Sequence, residues 1–180
     1  MKKYLKKIIK EIIPIILGIL IAMYINNWNE DRKDEKYIKK ILFSINKELK
    51  DTNEDIVKNI SGQKSFIDTI DVYLNSDEMS LYDITSKVGI GLPSIKTNAW
   101  TAISNSRIEL MDYDKVSSLA TIQEGKEILN LKAEKLLNFI YTNINENGRD
   151  KKELLKIMMF EIINTEESLK KEIEKFKKIR

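Results

Sequence analysis

Hydrophobic residues fall into two arrangements along this chain: one unbroken run near the start, then three stripes at helical spacing. The run is Ile12 to Ile25, fourteen residues without a charge. At ~1.5 Å per residue it covers ~21 Å of a hydrocarbon layer ~30 Å thick, and counting back to Ile8 raises that to ~27 Å. The first stripe is Ile38, Ile41, Ile45, Leu49, Thr52, Ile56, Ile60, Gln63, Ile67, Ile70 and Leu74. Steps of three and four mark a helix, with Thr52 and Gln63 as polar interruptions. No breaker separates Ile25 from Tyr37, so run and stripe are expected to share one rod, and the lone Gly62 costs it only ~1 kcal/mol. The helix should stop near Asn75-Ser76-Asp77.

A short segment, Leu81 to Lys87, follows, and then Gly89, Gly91 and Pro93 concentrate the turn chemistry of the chain. Residues from Ala99 form a small helix bounded near Arg107. The second stripe is Val116, Leu119, Ile122, Leu129, Ala133, Leu136, Ile140 and Ile144; the third is Leu155, Met158, Ile162, Leu169, Ile173 and Phe176. Between them Asn145-Glu146-Asn147-Gly148 is a turn, with Gly148 expected as a left-handed cap. Such stripes must bury one another. The fold class is therefore all-α: an N-terminal transmembrane helix (residues 1–29) continuing into a long helix of an antiparallel helical bundle (residues 30–180).

The flanks of the apolar run decide between three readings. A buried core helix would not be greasy all round behind a cluster of lysines. A cleaved signal peptide needs small residues at its exit, whereas Ala22 is followed by Met23, Tyr24 and Ile25. An uncleaved anchor fits best. Lys10 can snorkel to one interface, and Tyr24 and Trp28 lie at the other, where amphipathic rings prefer to sit. Five lysines and one glutamate precede the run, while Glu30, Asp31, Asp34 and Glu35 outnumber Arg32, Lys33 and Lys36 after it. The positive-inside rule then keeps the N-terminus cytoplasmic and puts the C-terminal domain in the periplasm, on an inner-membrane anchor. Gly18 and Ala22 form a small-xxx-small pair that would let two anchors pack as a homodimer.

The block Gly18-Ile19-Leu20-Ile21-Ala22-Met23-Tyr24-Ile25-Asn26-Asn27-Trp28-Asn29-Glu30 resembles the N-terminal signature of an uncharacterised family of flavobacteria and their relatives. That family is a domain of unknown function with one membrane helix and a helical body. Glu11 fits its habit of an acidic residue near the start of the span, whereas Pro14 departs from it. The resemblance implies membrane attachment and supplies no activity, cofactor or site.

Charge and chemistry narrow the picture further. The net charge is +3, but residues 1–28 alone hold a surplus of four, which leaves about −1 for the rest. Basicity is thus a property of the anchor, and nucleic acid is not an expected partner. There is no cysteine and no histidine, which removes disulfides, thiol chemistry, the commonest general base and the usual zinc ligands. No catalytic, cofactor or metal residues are assigned, and an enzyme is not expected. Gly89-Ile90-Gly91-Leu92-Pro93-Ser94 lacks the third glycine of a dinucleotide loop. Asp51-Thr52-Asn53-Glu54-Asp55 opens like a calcium loop, but Ile56 holds the glycine position, so it reads as an exposed helix face. No carboxylate sits in an apolar context that predicts a raised pKa.

Trp100 stands among Ala99, Thr101, Ala102 and Ser104, and is either a gap-filler between helices or a contact for a ligand or partner. The lysines Lys170, Lys171, Lys175, Lys177 and Lys178 suit a helix C-terminus and could also meet lipid phosphates. Two functions remain. One is an interaction or scaffolding module in the cell envelope, meeting a protein partner. The other is a periplasmic ligand-sensing bundle that acts through a partner, since too little chain precedes the span to form an output domain.

Overall fold

A computed structural model describes residues 2–179, and side chains from residue 10 onward. The lysines at 2, 3, 6 and 7, Ile8, and Arg180 lie outside the described side chains. Among the described residues there are helices and no strands. The chain divides into two compact units, Met1–Leu42 and Phe43–Arg180, so the second begins thirteen residues after the expected boundary at residue 30. Helix α1, Lys2–Val72, runs without a break and contributes to both; Pro14 lies inside it. Run and first stripe are therefore one helix, as the lack of breakers predicts.

The first unit is the start of α1 alone. Its apolar residues from Ile12 to Ile25 are exposed, and nothing within the unit covers them.

The second unit contains the rest of α1, α2 (Leu81–Val88), α3 (Asn98–Ser104), a 3₁₀ turn (Ile108–Leu110), α4 (Tyr113–Thr142) and α5 (Arg149–Phe176). Helix α3 ends at Ser104, before the expected Arg107. Local chemistry sets several ends. Ser80 and Asp83 form a reciprocal capping box at the start of α2, with Asp83 N–H donating to Ser80 Oγ at 3.3 Å and Ser80 N–H to Asp83 Oδ2 at 3.0 Å. Hydrogen bonds from Ser80 hold the Asp83 carboxyl below its ordinary pKa. Asp112 caps α4 by accepting from the N–H groups of Asp114 and Lys115.

Gly148 is not a left-handed cap. It has φ −61 and ψ 142 and stands at the N-cap of α5, while Asn143 ends α4. A turn of this length has room for separate caps on its two helices, so no single residue must reverse the chain. The left-handed glycine is Gly89, φ 74, at the end of α2.

The three long helices share one core. Ile45, Leu49, Ile56, Ile67 and Ile70 from α1 are buried with Leu119, Ile122, Leu129, Leu136 and Ile140 from α4. From α5 come Leu155, Met159, Ile162, Leu169, Ile173 and Phe176. Met159, not Met158, takes the inward position, because spacing from Leu155 to Ile162 runs four then three. Phe66, off the expected stripe, is also fully buried.

Long-range hydrogen bonds give the helix directions. Asp71 meets Lys156 and Gln63 meets Glu166, so α1 and α5 are antiparallel. Ser118 meets Glu172 and Lys132 meets Thr165, so α4 and α5 are antiparallel too. Helices α1 and α4 therefore run parallel, and the chain must return along the bundle between them.

Candidate functional site

Exposed apolar runs and buried polar groups are the informative departures from a soluble globular pattern. The described residues show both. The apolar run belongs to the first unit: Ile12, Ile15, Leu20, Ile21 and Ile25 are each about half exposed. Among the described residues one helix, near the N-terminus, is long and apolar enough to cross a membrane by length and composition. Leaving a large apolar side chain half exposed forgoes roughly 1 kcal/mol. Over the run this sums to roughly 10 kcal/mol, comparable to the whole stability of a domain. Lys10 is exposed at one edge. At the other, Tyr24 and Trp28 are exposed, with the Arg32 guanidinium 5.0 Å from the Trp28 ring centre and Asn26 Nδ2 donating to Glu30 Oε1 at 3.2 Å.

The buried polar groups belong to the second unit and organise the return path. Residues 89–97, between α2 and α3, form an extended strap. Pro93, Ile95 and Thr97 point inward, and Ser94, Lys96 and Asn98 face solvent. An extended segment has no helical bonds of its own, so its backbone groups need partners. Side chains of α1 supply them. Gly91 O accepts from Gln63 Nε2 at 3.0 Å, Ser94 N–H donates to Asp55 Oδ2 at 2.7 Å, and Lys96 N–H donates to Thr52 Oγ1 at 3.0 Å. At the end of the strap Ala99 N–H donates to Glu48 Oε2 at 3.1 Å, which caps α3 from another helix.

From Gln63 back to Glu48 is ~22 Å along a helix. The eight steps from Gly91 to Ala99 reach at most ~28 Å, so the strap has to be drawn out nearly straight. Lys96 Nζ adds a 2.8 Å pair with Asp51, which lowers the Asp51 pKa and raises that of Lys96, chiefly through that hydrogen bond.

Residues 51–55, expected as an exposed face, are thus the seat of the strap. Thr52 and Gln63, expected as mere interruptions, are buried functional parts of it.

Two charged residues lie inside α5's apolar seam. Ile163 apart, the buried positions are 152, 155, 159, 162, 166, 169, 173 and 176, alternating by three and four. Lys152 is fully buried, and its Nζ donates to the Tyr73 and Ser76 carbonyls just past the end of α1. It supplies a cation and hydrogen bonds where a helix leaves carbonyls unpaired. Burial lowers its pKa, with Asp77 opposing.

Glu166 corrects the expectation that no carboxyl is perturbed. It is fully buried and accepts from Gln63 Nε2 at 2.7 Å. Burial pushes its pKa up to about 7; the Gln63 hydrogen bond works against this, and Asp55 adds to it. Glu166 Oε2 and Gln63 Oε1 are buried without a hydrogen-bond partner. Glu166 was concealed in the sequence by the seven-residue step from Ile162 to Leu169, and heptad arithmetic across that step would have found it.

Trp100 is 7% exposed and packs in the core beside Ala99 and Ile103 of α3. It lines neither the 540 Å³ groove between α4 and α5, bordered by Gly125, Ile128, Lys132 and Thr165, nor the 340 Å³ cleft of Val57, Ile60, Lys64 and Lys170. Lys170 is half-buried in that cleft, Lys175 pairs with Glu172 at 3.0 Å, and Lys171, Lys177 and Lys178 are exposed.

No protein-family model matches the sequence, and comparison with curated proteins and with solved structures gave no match. The described residues define an all-α protein in which one helix is long and apolar enough to cross a membrane.

Proposed function

We propose that this chain is a single-pass inner-membrane protein with its N-terminus in the cytoplasm, and that its helical body is a non-enzymatic interaction or scaffolding module in the cell envelope. The observation that carries the reading is the apolar run from Ile12 to Ile25, exposed over its length and bounded by Lys10 on one side and Tyr24 and Trp28 on the other. Water would penalise that surface, and a bilayer would not. The likeness of Gly18–Glu30 to a family signature supports the same address. At the Gly18 position, nothing lies within 4 Å of where a Cβ would stand. That face is open to a second anchor, which makes a homodimer one candidate assembly.

Absence of cysteine makes the topology directly testable. Asn145→Cys and Lys3→Cys each introduce one thiol. In spheroplasts an impermeant maleimide should label the first before lysis and the second only after it. The reverse pattern overturns the N-in assignment. Crosslinking in native membranes then separates the functions: a reproducible protein partner supports scaffolding, and a co-purifying small molecule without one favours a ligand-sensing bundle.

A further inference from the structure

Glu166 does nothing for the membrane reading, yet it is buried at the point where α1, α5 and the strap meet. One amide nitrogen, Gln63 Nε2, donates one hydrogen to Glu166 Oε1 and the other to the Gly91 carbonyl, so carboxyl and strap are tied to a single side chain. We propose that Glu166 is a proton-operated latch: neutral, it lets Gln63 hold the strap closed at Gly91, and ionised, it opens the strap to admit water. This rests on the second unit alone and is independent of the membrane assignment.

The physical case is a balance of charges. A neutral carboxyl can stay buried with one hydrogen bond, whereas a carboxylate with one bond and a bare second oxygen is costly. From α1 the charged group acting on it is Asp55, of the same sign, whose own oxygens are engaged by Ser94 N–H and Asn59 Nδ2. The strap presents the Gly91 carbonyl, and its one cation, Lys96, pairs with Asp51. From α4, Lys126 reaches Thr97, and Lys132 reaches Thr165 and the Glu161 carbonyl. On α5, Glu167 and Lys170 border the cleft against Val57 and Ile60. None of these cations hydrogen-bonds Glu166.

The strap is the element able to yield. It is tied down by side chains rather than by a ladder, and Gly89, at φ 74, is a ready pivot at its start. Its fit is close, since a Cβ at Gly91 would lie 2.5 Å from Asn59 Oδ1. A small lift at Gly91 therefore breaks the shared contact and opens a path to Glu166.

The test is hydrogen exchange of the full chain in micelles at pH 5.5 and 8.5, corrected for intrinsic rates. With Glu166 titrating at about 7 closed and 4.5 open, linkage gives roughly thirtyfold greater opening at the higher pH. The Ser94 and Lys96 amides should show it, while amides in the middle of α4 and α5 do not. Glu166→Gln should abolish the difference. Equal corrected exchange at both pH values, or the same acceleration in Glu166→Gln, overturns the latch. A carboxyl-carbon NMR titration of the unaltered chain needs no variant: a Glu166 midpoint below 5 also overturns it.

Discussion

Two glycines inside long helices should respond to alanine with opposite signs. Gly62 lies in α1 with nothing within 4 Å of a new Cβ. Gly62→Ala therefore gains the helical preference of alanine, about 1 kcal/mol. Gly125 lies in α4, where a Cβ would stand 2.6 Å from Leu169 Cδ2 and 3.1 Å from Leu169 Cγ. Leu169 is 3% exposed, and because its Cγ as well as its Cδ2 is crowded, the side chain must shift as a whole rather than at its tip. Overpacking of this kind costs about 1–3 kcal/mol, which exceeds the same 1 kcal/mol propensity gain.

For a chain of this size 1 kcal/mol moves Tm by about 2–4 °C. Thermal unfolding in micelles, followed by Trp100 fluorescence in a Trp28→Phe background, should rise by about that much for Gly62→Ala and fall similarly for Gly125→Ala. Leu169→Ala removes the obstacle, so in that background Gly125→Ala should turn stabilising, a coupling of about 2 kcal/mol. If Gly125→Ala stabilises the unaltered protein as much as Gly62→Ala does, α4 and α5 do not approach as described.

Other outcomes follow from the buried polar groups and the core. Lys152→Met takes the ammonium donor from the Ser76 carbonyl and from the Tyr73 carbonyl, which keeps only the Ser76 N–H, and should cost about 2 kcal/mol in urea unfolding at pH 7; unchanged stability would refute the capping role. Because the folded pKa of Glu166, about 7, lies above the ordinary 4.5, its contribution is fully present below pH 4.5 and lost as pH rises through 7. The difference between unaltered protein and Glu166→Gln should change by up to about 3 kcal/mol across that window. A difference that does not vary with pH would contradict the burial of that carboxyl. Trp100→Ala should lose about 3–5 kcal/mol; unaltered melting would mean the ring is not in the core.

The helices were legible because apolar residues at three- and four-residue steps have one economical use. The strap was not, because everything that holds it comes from distant sequence. Gln63 and Glu166 are 103 residues apart, and Asp55 and Ser94 are 39. Its trace in the sequence is the inward alternation of Pro93, Ile95, Thr97 and Ala99, overshadowed by the turn chemistry of Gly89, Gly91 and Pro93. Polar residues at stripe positions looked like defects, and without the strap in view they had no partner to explain them. Trp100's small neighbours suit close packing first and a pocket second, and the ring is 7% exposed.

The contacts of α1 with α5 also impose an order of assembly. Helices α4 and α5 are joined by a short turn and can pair soon after both exist. Helix α1 is made before α5, yet its last turn is finished by Lys152 and its seam by Glu166, both on α5. A ribosome must therefore reach α5, some hundred residues on, before the seam of α1 is covered. Until then Ile45, Leu49, Ile56 and Ile70 face solvent, and closing the bundle means bringing ends together across some hundred residues. Loss of α5 would leave the seams of α1 and α4 uncovered rather than produce a smaller bundle.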